Sequence, residues 1–266
     1  MTRLPVLLAL LALLPAAARP AAAASSPWFE SEGGAVRIVT SGLADAQGYV
    51  RGALDIRLKP GWKTYWREPG EAGVPPHITL WQTSDLAEAE ILFPTPERIS
   101  QDGATWAGYR QSVSLPVLFK ARAPGAAGIL EGSVFLGICE TICIPVDATF
   151  SFDTGADPDN PADAIAVNAA FAALPAPPRP GFRVAETRRE GRKLLLEAEL
   201  PEGAGPAVLF LAGPSGARLS MPVLQARDGT KAVFAAELLA APEEAGPLHY
   251  TLVAGTRAVG GTIALP

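Results

Sequence analysis

Glycine, proline, aspartate and serine recur along much of this chain at strand-and-turn spacing, and that punctuation is its strongest constraint on fold. Between residues 35 and 153 they separate seven short apolar or alternating runs: "AVRIVTSG", "YVRGALDIRLKP", "HITLW", "AEILFP", "VSLPVLFKAR", "GILEGSVFLGI" and "PVDATFSFD". Short strands spaced by turn residues predict a β-sandwich. Period two is plain in "LDIRL", which sends Leu54, Ile56 and Leu58 to one face and Asp55 and Arg57 to the other.

The first residues read differently. Arg3, the apolar run "LPVLLALLALLP" and the small residues of "AAARPAAAA" have the pattern of a cleaved secretory signal, residues 1–24. The run is too short for a membrane span, and no later stretch approaches the ~20 apolar residues that a span needs. The expected mature chain is therefore an exported, soluble protein without direct membrane insertion. The full sequence has a net charge of −5, and the expected mature chain, without Arg3 and Arg19, −7, which argues against nucleic acid as a partner. Two cysteines in an exported chain of this length leave stability to apolar cores rather than to a disulfide framework.

Composition shifts near Asp153. Asn160 and Pro161 read as an N-cap and first helical residue, with Asp163 in the first turn, so a helix is predicted over 161–173. "LPAPPRPG" cannot continue it and reads as a semi-rigid linker. Beyond Phe182 strands resume, with turns predicted near Glu190-Gly191 and at Asp228-Gly229. The expected organisation is a first β-sandwich domain over 25–155, a helix and Pro-rich linker over 156–180, and a second β-sandwich over 181–266.

Both cysteines lie in "FLGICETICIPV". On one straight strand Cys139 and Cys143 would sit roughly 13 Å apart, beyond disulfide reach. A hairpin with "ETI" as its loop would bring them face to face at about 4.5 Å. Three uses stay open. As a staple, so short a loop gains only about 2 kcal/mol. As a metal clip, the pair has only His77 and His249 to recruit, and neither a metal nor another cofactor is called for. As a redox pair, a loop-borne disulfide is open to thiolate attack, with Glu140 a candidate proton acceptor beside Cys139.

Three stretches taken in order, "KPGWKTYWREPGEAGVPP", "SVSLPVLF" and "GSVFLGICETICIPV", resemble the N-terminal periplasmic domain of the DsbD thiol:disulfide interchange family. The likeness spans roughly Trp28 to Asp153 and is nearer to the ScsB-type variant, linked with copper tolerance. It implies an immunoglobulin-like fold in which Cys139 and Cys143 are the redox pair. It places Tyr65 near the disulfide with Trp62 and Trp66 flanking it, Trp62 as core packing, and Tyr109 at an aromatic position just before a strand. The family's cap loop carries an acidic pair followed by Phe. Here "ISQDGATWAGY" has no Phe, which leaves Asp102 and Trp106 as candidates for comparable work.

The family's eight-helix membrane domain and thioredoxin-like domain are not in this sequence. The resemblance therefore implies a separate membrane thiol transporter and periplasmic thioredoxin-like proteins as partners. The expected chain is all-β, two immunoglobulin-like sandwiches joined by a short helix and Pro-rich linker, passing reducing equivalents through Cys139 and Cys143. Cys143 is the expected attacking residue. The rival expectation is a non-catalytic binding module or copper-tolerance protein with a structural disulfide.

Overall fold

The computed structural model describes residues 24–70, 73–101, 103–123 and 127–266. All but the last of the signal-like residues, and Asp102, therefore lie outside the described residues. The chain is all-β with one short helix. In order, the first half holds β1 (Phe29–Glu30), β2 (Gly34–Ser41), β3 (Tyr49–Leu58), β4 (Lys63–Tyr65), β5 (His77–Leu80), β6 (Leu86–Ile91), β7 (Glu97–Gln101), β8 (Ala104–Tyr109), β9 (Val113–Ala121), β10 (Ile129–Cys139) and β11 (Cys143–Asp153). The helix α1 (Pro161–Ala172) follows. The second half holds β12 (Arg183–Glu190), β13 (Lys193–Glu199), β14 (Ala207–Ala212), β15 (Arg218–Leu219), β16 (Val223–Asp228), β17 (Lys231–Ala240), β18 (Leu248–Ala254) and β19 (Arg257–Ile263).

Two sheets make the first half. One runs β1-β2-β3-β9-β6, and the other β11-β10-β4-β8-β7 with β5 on β10. Alternation selects which side chains meet between them. Along β11, Val146, Ala148 and Phe150 are buried while Asp147, Thr149 and Ser151 are exposed. They share one core with Ile38, Leu54, Leu115 and Phe119 from the first sheet. The second half repeats the plan with sheets β12-β13-β17-β15, with β16 also on β17, and β14-β18-β19 around a core that includes Leu196, Phe234, Leu252 and Val259. The predicted turns are in place, between β12 and β13 at Gly191 and between β16 and β17 at Gly229.

The helix is not a free linker. Asn160 Oδ1 accepts from the N–H groups of Ala162 and Asp163, and Pro161 opens the first turn. Val167 and Ala170 then pack on Val39 and Ala53, which point out of the first sheet. This explains why β2 and β3 lose the alternation their sequence predicts, since α1 covers their outer face. Burying Val167 contributes about 1.5–3 kcal/mol. Asp55 faces away from the main core as expected but is buried under this cover. It accepts from Arg37 Nε at 2.9 Å and Ser114 Oγ at 2.6 Å, so the buried charge is paired. The proline segment beyond α1 lies on the second half, where Ala176 bridges Val259 in parallel.

The halves touch through apolar surface. Phe210 and Ala212 of β14 join the first half's core, and the Phe210 ring lies 5.9 Å from that of Trp66. Arg98 of β7 donates to the Pro222 carbonyl at 2.7 Å. His249 of β18 is half-buried here. Burial first, and the Arg67 charge second, lower its pKa to about 4 from an ordinary 6.5. The fold thus holds the neutral imidazole. Between pH 6.5 and 4 the unfolded chain binds the proton more readily, so stability present above pH 6.5 is lost as pH falls through that window. After discounting for solvent screening of a half-buried group, the loss is about 1–2 kcal/mol. Urea unfolding of His249→Gln across this range should show a correspondingly flatter dependence than the wild-type chain.

Candidate functional site: a disulfide at a hairpin end

The hairpin β10–β11 runs in register from Ile129↔Asp153 to Cys139↔Cys143. Cys139 is the last residue of one strand and Cys143 the first of the next, so "ETI" is the whole loop. Within it the Glu140 N–H donates to the Ile142 carbonyl at 3.1 Å. The two cysteines are disulfide-bonded with Cα atoms 4.1 Å apart. Their environments differ. Cys139 is buried at 2 % exposure, whereas Cys143 is exposed and Ile142 beside it is 68 % exposed.

Period two decides which neighbours face the sulfurs. Lys63 lies opposite Cys139 in the β4–β10 ladder, so its side chain shares the face of the disulfide, and so does that of Tyr65 two residues on. The Tyr65 hydroxyl donates to Cys139 Sγ at 3.0 Å and lies 3.2 Å from Cys143 Sγ. Its ring meets Trp106 edge-on at 5.2 Å between centroids, a preferred aromatic geometry. The Lys63 ammonium lies 5.2 Å from the centre of the Trp106 ring. Tyr65, Ile99, Trp106 and Cys139 form a separate small apolar cluster. Burial raises the pKa of Tyr65, so its hydroxyl stays a proton donor.

Two glycines make room. A Cβ on Gly137 would come within 3.2 Å of the Tyr65 ring. A Cβ on Gly108, the register partner of Tyr65, would come within 2.2 Å of the Thr64 carbonyl and 2.8 Å of the Trp106 ring. Thr64 itself points the other way and donates to the Gly137 carbonyl at 2.9 Å.

Of the residues singled out from sequence, the structure brings together Cys139, Cys143, Tyr65 and Trp106. It takes Trp66 and Tyr109 away. Trp66 follows Tyr65 on the chain and so faces the opposite side, into the main core against Phe93 and Phe210. Tyr109 pairs with Thr64 and faces that same core, where its buried hydroxyl donates to the Pro94 carbonyl at 2.8 Å. Burial raises its pKa well above the ordinary value. Trp62 is in the core as expected. Glu140 is exposed and its carboxylate lies over Gly61, whose φ of +88° permits the turn there. The sequence reading missed Lys63, Gly137 and Gly108. Their signal is the ladder register, which no single stretch displays.

The disulfide thus has one buried and one exposed half and is contacted by a buried tyrosine hydroxyl at a hairpin end. Residues 36–154 match the family model described as "Thiol:disulfide interchange protein DsbD, N-terminal". The structure also matches the crystal structure of the N-terminal periplasmic domain of ScsB from Proteus mirabilis. That match has a TM-score of 0.70 and 25 % identity, and covers 92 % of this chain and 100 % of that one. Coverage of that extent reaches well past residue 154, so much of the second half has a counterpart in that structure too. No curated protein sequence matches the chain. Among the described residues, no helix is long and apolar enough to cross a membrane.

Proposed function

We propose that this chain is a periplasmic thiol–disulfide exchange protein that receives and passes on reducing equivalents through Cys139 and Cys143. Its frame is two immunoglobulin-like sandwich domains, the first carrying the chemistry and the second placing it against partners. The observation that carries the reading is the asymmetry of the disulfide, with Cys143 exposed and Cys139 buried against Tyr65. The donor is a membrane thiol transporter and the acceptor a periplasmic thioredoxin-like protein, in keeping with the family model that residues 36–154 match.

The exchange runs through a mixed disulfide. A thiolate of the reduced donor attacks Cys143 Sγ, the Cys139–Cys143 bond breaks, and Cys139 leaves as a thiolate. The donor's second thiol, as its thiolate, then attacks the donor sulfur of the mixed disulfide. The donor departs oxidised, and two electrons and two protons have passed to this chain. Towards the acceptor the steps reverse, with the Cys143 thiolate attacking the acceptor's disulfide and Cys139 resolving the intermediate. The Tyr65 hydroxyl is placed to hold the charge on Cys139 when it leaves. A hydrogen bond to a charged group contributes about 1.5–3 kcal/mol, against far less for one to a neutral disulfide sulfur.

Tyr65→Phe keeps the ring packed on Trp106 and removes only the hydroxyl. Its melting temperature should fall by no more than a few degrees. The rate at which dithiothreitol or a partner dithiol reduces the disulfide should fall about tenfold or more. An unchanged reduction rate in a folded Tyr65→Phe protein would remove the hydroxyl from the account.

A further inference from the structure

An apolar strip runs from the disulfide down the outer face of the β10–β11 hairpin. Period two puts Cys143 and Pro145 of β11 on that face with Cys139, Gly137 and Phe135 of β10. Ile142 stands at the tip, 68 % exposed, and Phe135 closes the far end, 42 % exposed. Pro145 between them is exposed too. Its ladder partner Gly137 has no side chain, and half-buried Val74 takes the space. The Gly137 N–H donates to the Val74 carbonyl at 3.2 Å, and a Cβ on Gly137 would come within 3.2 Å of Val74 Cβ.

Polar groups border this strip without interrupting it. His77 and Asp147 are the exposed ladder partners of Phe135, and Glu140 is exposed in the loop at the other end. Single exposed apolar side chains call for no explanation, but a contiguous row inside a polar rim has the anatomy of a protein–protein interface. Cys143, the exposed sulfur, lies within that row on the edge strand β11. Towards the middle of the sheet Tyr65 and Trp106 are already buried, so the area open to a partner follows the strip.

A mixed disulfide determines what covers it. A partner sulfur bonded to Cys143 Sγ brings the partner's surface down around that atom. A standard interface covers about 800 Å² on each side, a disc of roughly 16 Å radius. Phe135 lies about 13 Å along the strand from Cys139 and falls inside it. We infer that Ile142, Pro145, Val74 and Phe135 form the docking surface for the protein that exchanges with Cys143, with Ile142 as the anchor. The partner it fits presents its own cysteine pair in an apolar, uncharged surface. The inference rests on the exchange reading and adds a division of labour to it. Sulfur chemistry belongs to the cysteines and Tyr65, while the strip favours a protein dithiol over a small one.

Reduced thioredoxin, a protein dithiol, and dithiothreitol, a small one, are the probes. Each reduces the oxidised full mature chain, and alkylation followed by mass measurement gives the rate. The readout is the ratio of the thioredoxin rate to the dithiothreitol rate, because dithiothreitol needs no docking surface. Ile142→Ser should lower this ratio about tenfold or more, and Phe135→Ser several-fold, as truncating interface anchors does. Ile165→Ser is the control, since Ile165 is 71 % exposed but sits on α1, which covers the opposite sheet. Its ratio should equal that of the wild-type chain. Thermal melts confirm that all three variants are folded. The inference is overturned if folded Ile142→Ser or Phe135→Ser keeps the wild-type ratio, or if Ile165→Ser lowers it as much. A wild-type chain that dithiothreitol reduces and thioredoxin does not would overturn the exchange reading and this inference with it.

Discussion

Replacing Cys139 with serine should convert this chain into a trap, and replacing Cys143 should not. Cys139→Ser leaves Cys143, the exposed sulfur, to attack a partner's disulfide with nothing to resolve the product. A mixed disulfide with a periplasmic thioredoxin-like protein should then accumulate on a non-reducing gel. Cys143→Ser leaves only Cys139, which is 2 % exposed and packed with Tyr65, Ile99 and Trp106. A partner sulfur cannot align with it without opening that cluster, so its yield of mixed disulfide should be at least tenfold lower. Both variants should lose turnover in a coupled exchange assay, since a complete cycle needs both sulfurs. Equal trapping by the two variants would contradict the assignment. Trapping by neither, with only the stability loss of about 2 kcal/mol expected for a staple, would return the pair to a structural role.

The second large effect is structural and falls on the support of the site. Gly108→Ala should destabilise the chain by about 3 kcal/mol or more, at the upper end for an overpacked site. The added Cβ would lie 2.2 Å from the Thr64 carbonyl and 3.1 Å from Tyr65 Cα. These are backbone atoms of the paired strand and cannot swing aside as a side chain tip would. The β4–β8 ladder must part, and the Tyr65–Trp106 contact parts with it. Urea unfolding should show a lower midpoint, and the disulfide should lose its Tyr65 hydrogen bond. Gly191→Ala is the control. Its φ is +64°, but no atom lies within 4 Å of the added Cβ, so only the strain of a left-handed alanine remains, about 1 kcal/mol. A Gly108→Ala protein as stable as Gly191→Ala would show that the ladder yields without cost.

Much of this architecture was legible in the sequence because period two and turn chemistry are local. The hairpins at Gly191 and Gly229 and the helix after Asn160 each rest on a few adjacent residues. So does the cysteine hairpin, since three loop residues and the reach of a disulfide leave little choice. Resemblance located Tyr65 and Trp106 but carried Trp66 with them. Alternation alone would have refused that, since adjacent strand residues face opposite ways. Tyr109 fell to the same rule once its partner in the ladder was known to be Thr64. The cover of α1 on Val39 and Ala53, the row that sets Lys63 beside the disulfide, and the reach of Phe210 into the first half's core are long-range facts. They depend on register and on which surfaces remain apolar after each half is built, and no short run of residues carries them.

The central claim is that Cys139 and Cys143 exchange electrons rather than merely hold a loop. Equilibration of the purified chain in glutathione buffers of graded ratio, with thiols counted at each step, measures the potential of the pair directly. The account predicts a value above about −300 mV, within reach of other periplasmic couples. A value below that would mark a disulfide too stable to exchange and would contradict it.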